Sequence, residues 1–75
     1  MADYDPQDLI DINEVCREVG GAETPVAKAT VWRMVNDDRL PPPLELGSQL
    51  RRWLRPEIRA RIKARIAARD AERAS

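Results

Sequence analysis

Residues 27–58 read AKATVWRMVNDDRLPPPLELGSQLRRWLRPEI, and this stretch decides the fold. Its opening ten residues carry a helical period. Ala27, Val31, Met34 and Val35 form one apolar stripe, while Lys28, Ala29, Trp32, Arg33 and Asn36 lie on the other side. The helix runs to about Asp37. Arg39-Leu40-Pro41-Pro42-Pro43 cannot prolong it, because proline lacks the N–H donor and pushes the preceding residue into extended backbone. Leu44-Glu45-Leu46 then alternates with period two, Gly47-Ser48-Gln49 supplies turn chemistry, and Leu50-Arg51-Arg52-Trp53 returns. This pattern predicts a two-stranded hairpin with a polar tip. A hairpin alone is marginal and must pack on something, and Leu44, Leu46 and Trp53 are the residues available for it.

C-terminal to this stretch, Pro56 opens a helix predicted to reach Arg73. Ile58, Ile62 and Ile66 recur every four residues, and Glu57 suits the first turn. The stripe would continue near Arg65 and Arg69, so the apolar face ends around Ile66 and residues 67–75 project as a basic helix end. N-terminal to it, Ile12, Val15, Cys16 and Val19 form another helical stripe. Asp11 stands at its N-cap, Glu14 follows at capping-box spacing, and Gly20-Gly21 stops it. The second helix starts either at Thr24-Pro25, a cap followed by proline, or nearer Ala27, which cannot cap. Residues 1–8, acidic and containing Pro6, read as a disordered tail. The predicted architecture is mainly α with a small β-hairpin: a helix-turn-helix followed by the hairpin over residues 9–66, ending in a long helix.

Seventy-five residues make one domain with a thin core, burying roughly 60% of the surface the unfolded chain exposes. Trp53 is the expected hairpin anchor, Trp32 a core or partly core residue, and Cys16 plain packing on the first stripe. No run approaches the roughly 20 apolar residues of a membrane span. A lone cysteine points to a reducing cytoplasm, and no membrane association is expected. The net charge of zero conceals an asymmetry. Residues 1–38 hold nine acids and three bases, residues 39–75 ten bases and four acids. Either the halves neutralise each other within the chain, or the basic half meets an anionic partner. There is no histidine, no cysteine pair and no glycine-rich phosphate loop, so neither an enzyme nor a zinc or other cofactor site is expected, nor a small-molecule ligand.

The ordered set Glu14-Val15-Cys16, Lys28 to Val35, Arg39-Leu40-Pro41-Pro42-Pro43, Leu46-Gly47 and Arg52-Trp53-Leu54-Arg55-Pro56-Glu57-Ile58 resembles the AlpA/excisionase family. These are small winged helix-turn-helix DNA-binding proteins, related in fold to MerR regulators, that include recombination directionality factors. The resemblance spans about residues 9–62. The chain departs from the family pattern in its longer Gly20–Thr30 connection, with Ala27 in place of a capping serine. It departs again at Asp37-Asp38, which stand where a Glu-Gly or Ala-Gly pair is usual.

In such a fold the second helix enters the major groove, which admits one α-helix and displays distinct base edges. Lys28, Thr30 and Arg33 are the expected contacts from that helix. Arg33 suits guanine or phosphate, and Lys28 and Thr30 suit phosphate. Ser48, Gln49 and Arg51 are the expected wing contacts. Arg39, Arg52, Arg61 and Arg65 are further candidates for phosphate contact, with Lys63 and Arg69 also on the basic helix. That helix reads three ways: solvated, phosphate-binding, or self-associating through its alanine face. With so few bases on the second helix, one copy binds weakly, so several copies are expected on repeated sites.

What the resemblance implies is an excisionase: double-stranded DNA as partner, self-association along it, bending, and assistance to a tyrosine recombinase (integrase) of a mobile genetic element, in the cytoplasm at the nucleoid. The alternative within the family is an AlpA-like transcription regulator of a prophage or integrative element. From another class, the alternative is a protein-interaction adaptor that does not bind DNA.

Overall fold

The computed structural model of the chain describes residues 5–74. Its order is β1 (Leu9–Ile10), α1 (Ile12–Gly20), α2 (Lys28–Asn36), β2 (Leu44–Gly47), β3 (Leu50–Leu54) and α3 (Arg55–Ala74). The strands form an antiparallel sheet in the order β1-β3-β2, so the fold is three helices against a small three-stranded sheet. Among the described residues no helix is long and apolar enough to cross a membrane.

The third strand corrects the expected two-stranded hairpin. Leu9 pairs with Leu54 and Ile10 with Trp53, which brings the chain's N-terminal end onto the free edge of β3. A two-residue strand has too short a pattern to announce itself by alternation; only its partner defines it. The expected disordered tail over residues 1–8 is corrected for residues 5–8. Pro6–Asp8 make a 3₁₀ turn with the Asp5 carboxylate accepting from the Gln7 N–H at 3.0 Å. Residues 1–4 lie outside the described residues.

Helix α1 begins and ends where the stripe and caps say. Asp11 accepts from the Glu14 N–H at 2.9 Å, and the chain leaves through Gly21 at φ 106°. The reciprocal half of the expected capping box is absent, because the Glu14 carboxylate turns to Arg17 and Arg55. The connection then folds back tightly. The Val26 N–H donates to the Cys16 carbonyl at 3.2 Å, and the Thr24 hydroxyl donates to the Gly20 carbonyl at 2.6 Å. Thr24 thus serves the end of α1, and the question of where α2 starts resolves to Lys28, with Ala27 in the cap position.

The core is Ile10, Val15, Cys16, Val31, Leu40, Trp53 and Ile58. Trp53 lies 2% exposed and its indole N–H donates to the Pro41 carbonyl at 3.1 Å, so the proline segment is tied to the sheet by the ring that also fills the centre. Burying such a ring contributes several kcal/mol, about 3–5 by truncation to alanine. The extended proline run drops Leu40 and Pro41 into this interior. Three expected core positions are corrected. Ala27 is exposed, being the cap rather than part of the stripe. Leu44 and Leu46 are 41% and 52% exposed, because the sheet packs through Ile10 and Trp53 and the outer end of the hairpin extends past the helices. Along α3, Ile58 is buried, Ile62 half-buried and Ile66 exposed, and every residue from Lys63 to Ala74 faces solvent. That outer half stretches the molecule to 46 Å in its longest dimension.

Candidate nucleic-acid interface

Helix α2 turns Val31 into the core and shows Ala29, Arg33 and Asn36 outward, with Lys28 and Trp32 on one flank and Thr30 on the other. At 100° per residue this distribution follows from the positions themselves. Lys28 and Arg33 are exposed, and among the described residues neither forms an ion pair. Thr30 is half-buried on the flank away from the hairpin, so the structure separates it from the Lys28 side.

The hairpin stands beside the Lys28 flank. The Trp32 and Trp53 rings meet at 5.5 Å between centroids and 57° between planes, and the Arg51 guanidinium lies 5.7 Å over Trp32. Trp32 is therefore half-buried packing that also serves as a platform for a cation. An open groove of about 270 Å³ runs between helix and hairpin, lined by Asp11, Lys28, Trp32, Gln49, Arg51 and Arg52. Arg51 also approaches Glu45 at 3.9 Å, an exposed contact worth little. Arg52 is half-buried and donates to the Arg51 carbonyl at 2.7 Å. Ser48 and Gln49 form the exposed tip, with Gln49 in the left-handed region at φ 62°.

Other cations are committed elsewhere. Arg55 reaches Glu14 and Glu18, and Arg59 is paired with Glu18 through Nε at 2.9 Å. This α1–α3 network holds both carboxylates below their ordinary range: Glu14 mainly through the Arg17 guanidinium and then Arg55, Glu18 mainly through Arg59. Glu18 in turn raises Arg59. The network was not anticipated residue by residue. Its signal was the matched spacing of four, Glu14/Glu18 on one helix and Arg55/Arg59 on the other. Part of the charge asymmetry is thus settled inside the chain. Arg61, expected among the phosphate contacts, donates instead to the Asp38 carbonyl at 2.9 Å and straps the turn after α2. Arg69 pairs with Asp70. Arg39 and Arg65 are exposed and show no ion pair among the described residues.

Comparison with known proteins finds no matching family model, no similar curated protein and no similar solved structure. Among the described residues no group of three or more His, Cys, Asp and Glu is placed to hold a metal ion.

Proposed function

We propose that the chain is a sequence-specific duplex-DNA-binding protein, with α2 as the recognition helix of a winged helix-turn-helix and the β2–β3 hairpin as its wing. The observation that carries it is the contrast between two sets of cations. Arg55 and Arg59 are paired with α1, whereas Lys28 and Arg33 stand exposed and, among the described residues, without an ion pair, on a helix anchored through Val31. Arg51 adds a third exposed cation across the groove from Lys28.

With α2 in the major groove, Arg33 grips a base edge, favouring guanine, which accepts both of its parallel N–H donors. Lys28 and Arg51 take phosphates on either side of the helix–hairpin groove, and the Gln49 tip follows the adjacent minor groove. Few contacts per copy mean modest affinity, so several copies act together on repeated sites. In biological terms we assign the excisionase role: coating and bending an attachment site so that a tyrosine recombinase assembles its excision complex. Bending costs about 1–6 kcal/mol, which multiple copies offset.

A duplex selected from a random pool and then used in gel shifts tests the DNA reading. Arg33→Ala is expected to lose about 1–3 kcal/mol of discrimination between bases, and Lys28→Ala to weaken all sequences alike and flatten the salt slope by about one. Absence of any retardation at moderate salt would leave the adaptor alternative standing. An excision reaction with the cognate recombinase that runs equally well without the protein would reassign the same fold to transcriptional control.

A further inference from the structure

Strands β2 and β3 carry three leucines that no element covers among the described residues: Leu44 at 41%, Leu46 at 52% and Leu50 at 40% exposure. The register explains their placement. Paired residues across antiparallel strands share a face. Ile10 with Trp53 and Glu45 with Arg51 take the inner face, where Arg51 lies over Trp32. Leu44, paired with Arg52, and Leu50, paired with Gly47, therefore take the outer one. Leu46 occupies the irregularity between Glu45 and Gly47, where β2 gains a residue over β3. A bulge bends its strand and re-aims a side chain. Leu46 and Leu50 thus flank the Ser48-Gln49 tip from either strand. Single exposed leucines are ordinary on a surface. A group of them at one end of a hairpin, in a chain with a seven-residue buried core, is not.

We propose that Leu46 and Leu50 form an apolar wedge that enters the minor groove and partly unstacks a base step when the hairpin lies on DNA. The inference rests on the duplex-binding function above and adds the means of bending. Charge complementarity selects this occupant. Beside the tip, β3 carries Arg52 on the leucines' face and Arg51 on the inner face, where Lys28 stands across the groove, and Glu45 is the one acid on β2 and β3. The minor groove is the matching surface, with phosphates along both walls and, between the base pairs of an opened step at its floor, an apolar slot that a leucine can fill. Leucine and similar side chains inserted there kink a duplex by about 20–90°. A two-fold contact through the leucine face would gather the Arg52 side chains of both copies, which share that face, into one small patch of like charge. An anionic bilayer offers charge and apolar depth, but among the described residues the aromatic rings suited to its interface are drawn inward, Trp53 buried and Trp32 half-buried.

The test uses a closed-circular plasmid relaxed by topoisomerase I with the protein present, comparing wild type with a Leu46→Ser/Leu50→Ser double variant. Both positions are exposed, so the variant is expected to fold, checked by the fluorescence and thermal unfolding of the buried Trp53. Wild type should leave underwound topoisomers after its removal, because unstacking a step untwists the duplex. The variant should bind the plasmid within about threefold, since phosphate contacts supply most affinity, yet leave the topoisomers of the protein-free control. An equal shift by the variant, or binding by wild type with no shift, would overturn the wedge. Two forms of that second outcome name another occupant: leucine-dependent binding to phosphatidylglycerol–phosphatidylcholine vesicles, or a leucine-dependent dimer in solution. A wild type that retards no duplex even at low salt would instead remove the DNA reading beneath it.

Discussion

Asp38 sits in the left-handed region at φ 63°, directly after the cap of α2, and Arg61 holds its carbonyl. That conformation favours glycine: a Cβ there costs about 1–2 kcal/mol, less for Asp than for most residues. Asp38→Gly should therefore stabilise the chain by about 0.5 kcal/mol after glycine's own entropy, raising the melting temperature by a few degrees in a thermal scan. Gly20 works in the opposite direction. Replacing a helical glycine by alanine ordinarily gains up to about 1 kcal/mol. Here a Cβ would stand 2.7 Å from the Val26 nitrogen and 2.9 Å from its Cγ1. Both belong to the returning loop whose Val26 N–H is bonded to Cys16, so Gly20→Ala should lose about 1–3 kcal/mol in urea unfolding. The double glycine reads in the sequence as a helix stop. That it also admits a backbone crossing becomes visible only when the loop is folded.

Among the elements, α1, α2 and α3 were legible because each carries an apolar stripe several residues long, and the hairpin because alternation surrounds a turn. The β1 strand was not, since two residues contain no period. The stripe rule also misassigned Ala27, Leu44 and Leu46. Periodicity states which residues share a side, and an exposed strand and a buried one alternate alike. For α3, the end of the isoleucine run at Ile66 forecast a projecting end, and unbroken exposure in fact begins at Lys63. A chain ending at Ile66 should keep its melting temperature within a couple of degrees, because residues 67–74 bury no apolar side chain in the core. The same truncation separates the readings of that segment. A salt slope of DNA binding reduced by about one or two assigns Arg69 and Arg73 to phosphates, whereas an unchanged slope assigns the segment to solvent.

For the molecule as a whole, the neutral total divides into an internal network and an outward-facing set of cations. Glu14 and Glu18 lie below the ordinary value of 4.5 in the folded chain, so unfolding takes up protons there. Their contribution is present in full above that value and is lost as pH falls through the lower folded values. Urea stability should stay level down to about pH 5 and then decline, and Glu18→Gln should lower stability at neutral pH while flattening the acid limb. Composition and period were enough for the class of the chain, its three helices, the hairpin and the polarity of its halves, since these depend on neighbours along the sequence. Tertiary contact alone chose which arginines remain free, which leucines stay wet and which edge of β3 is closed, because pairing and burial depend on residues forty positions apart meeting in space.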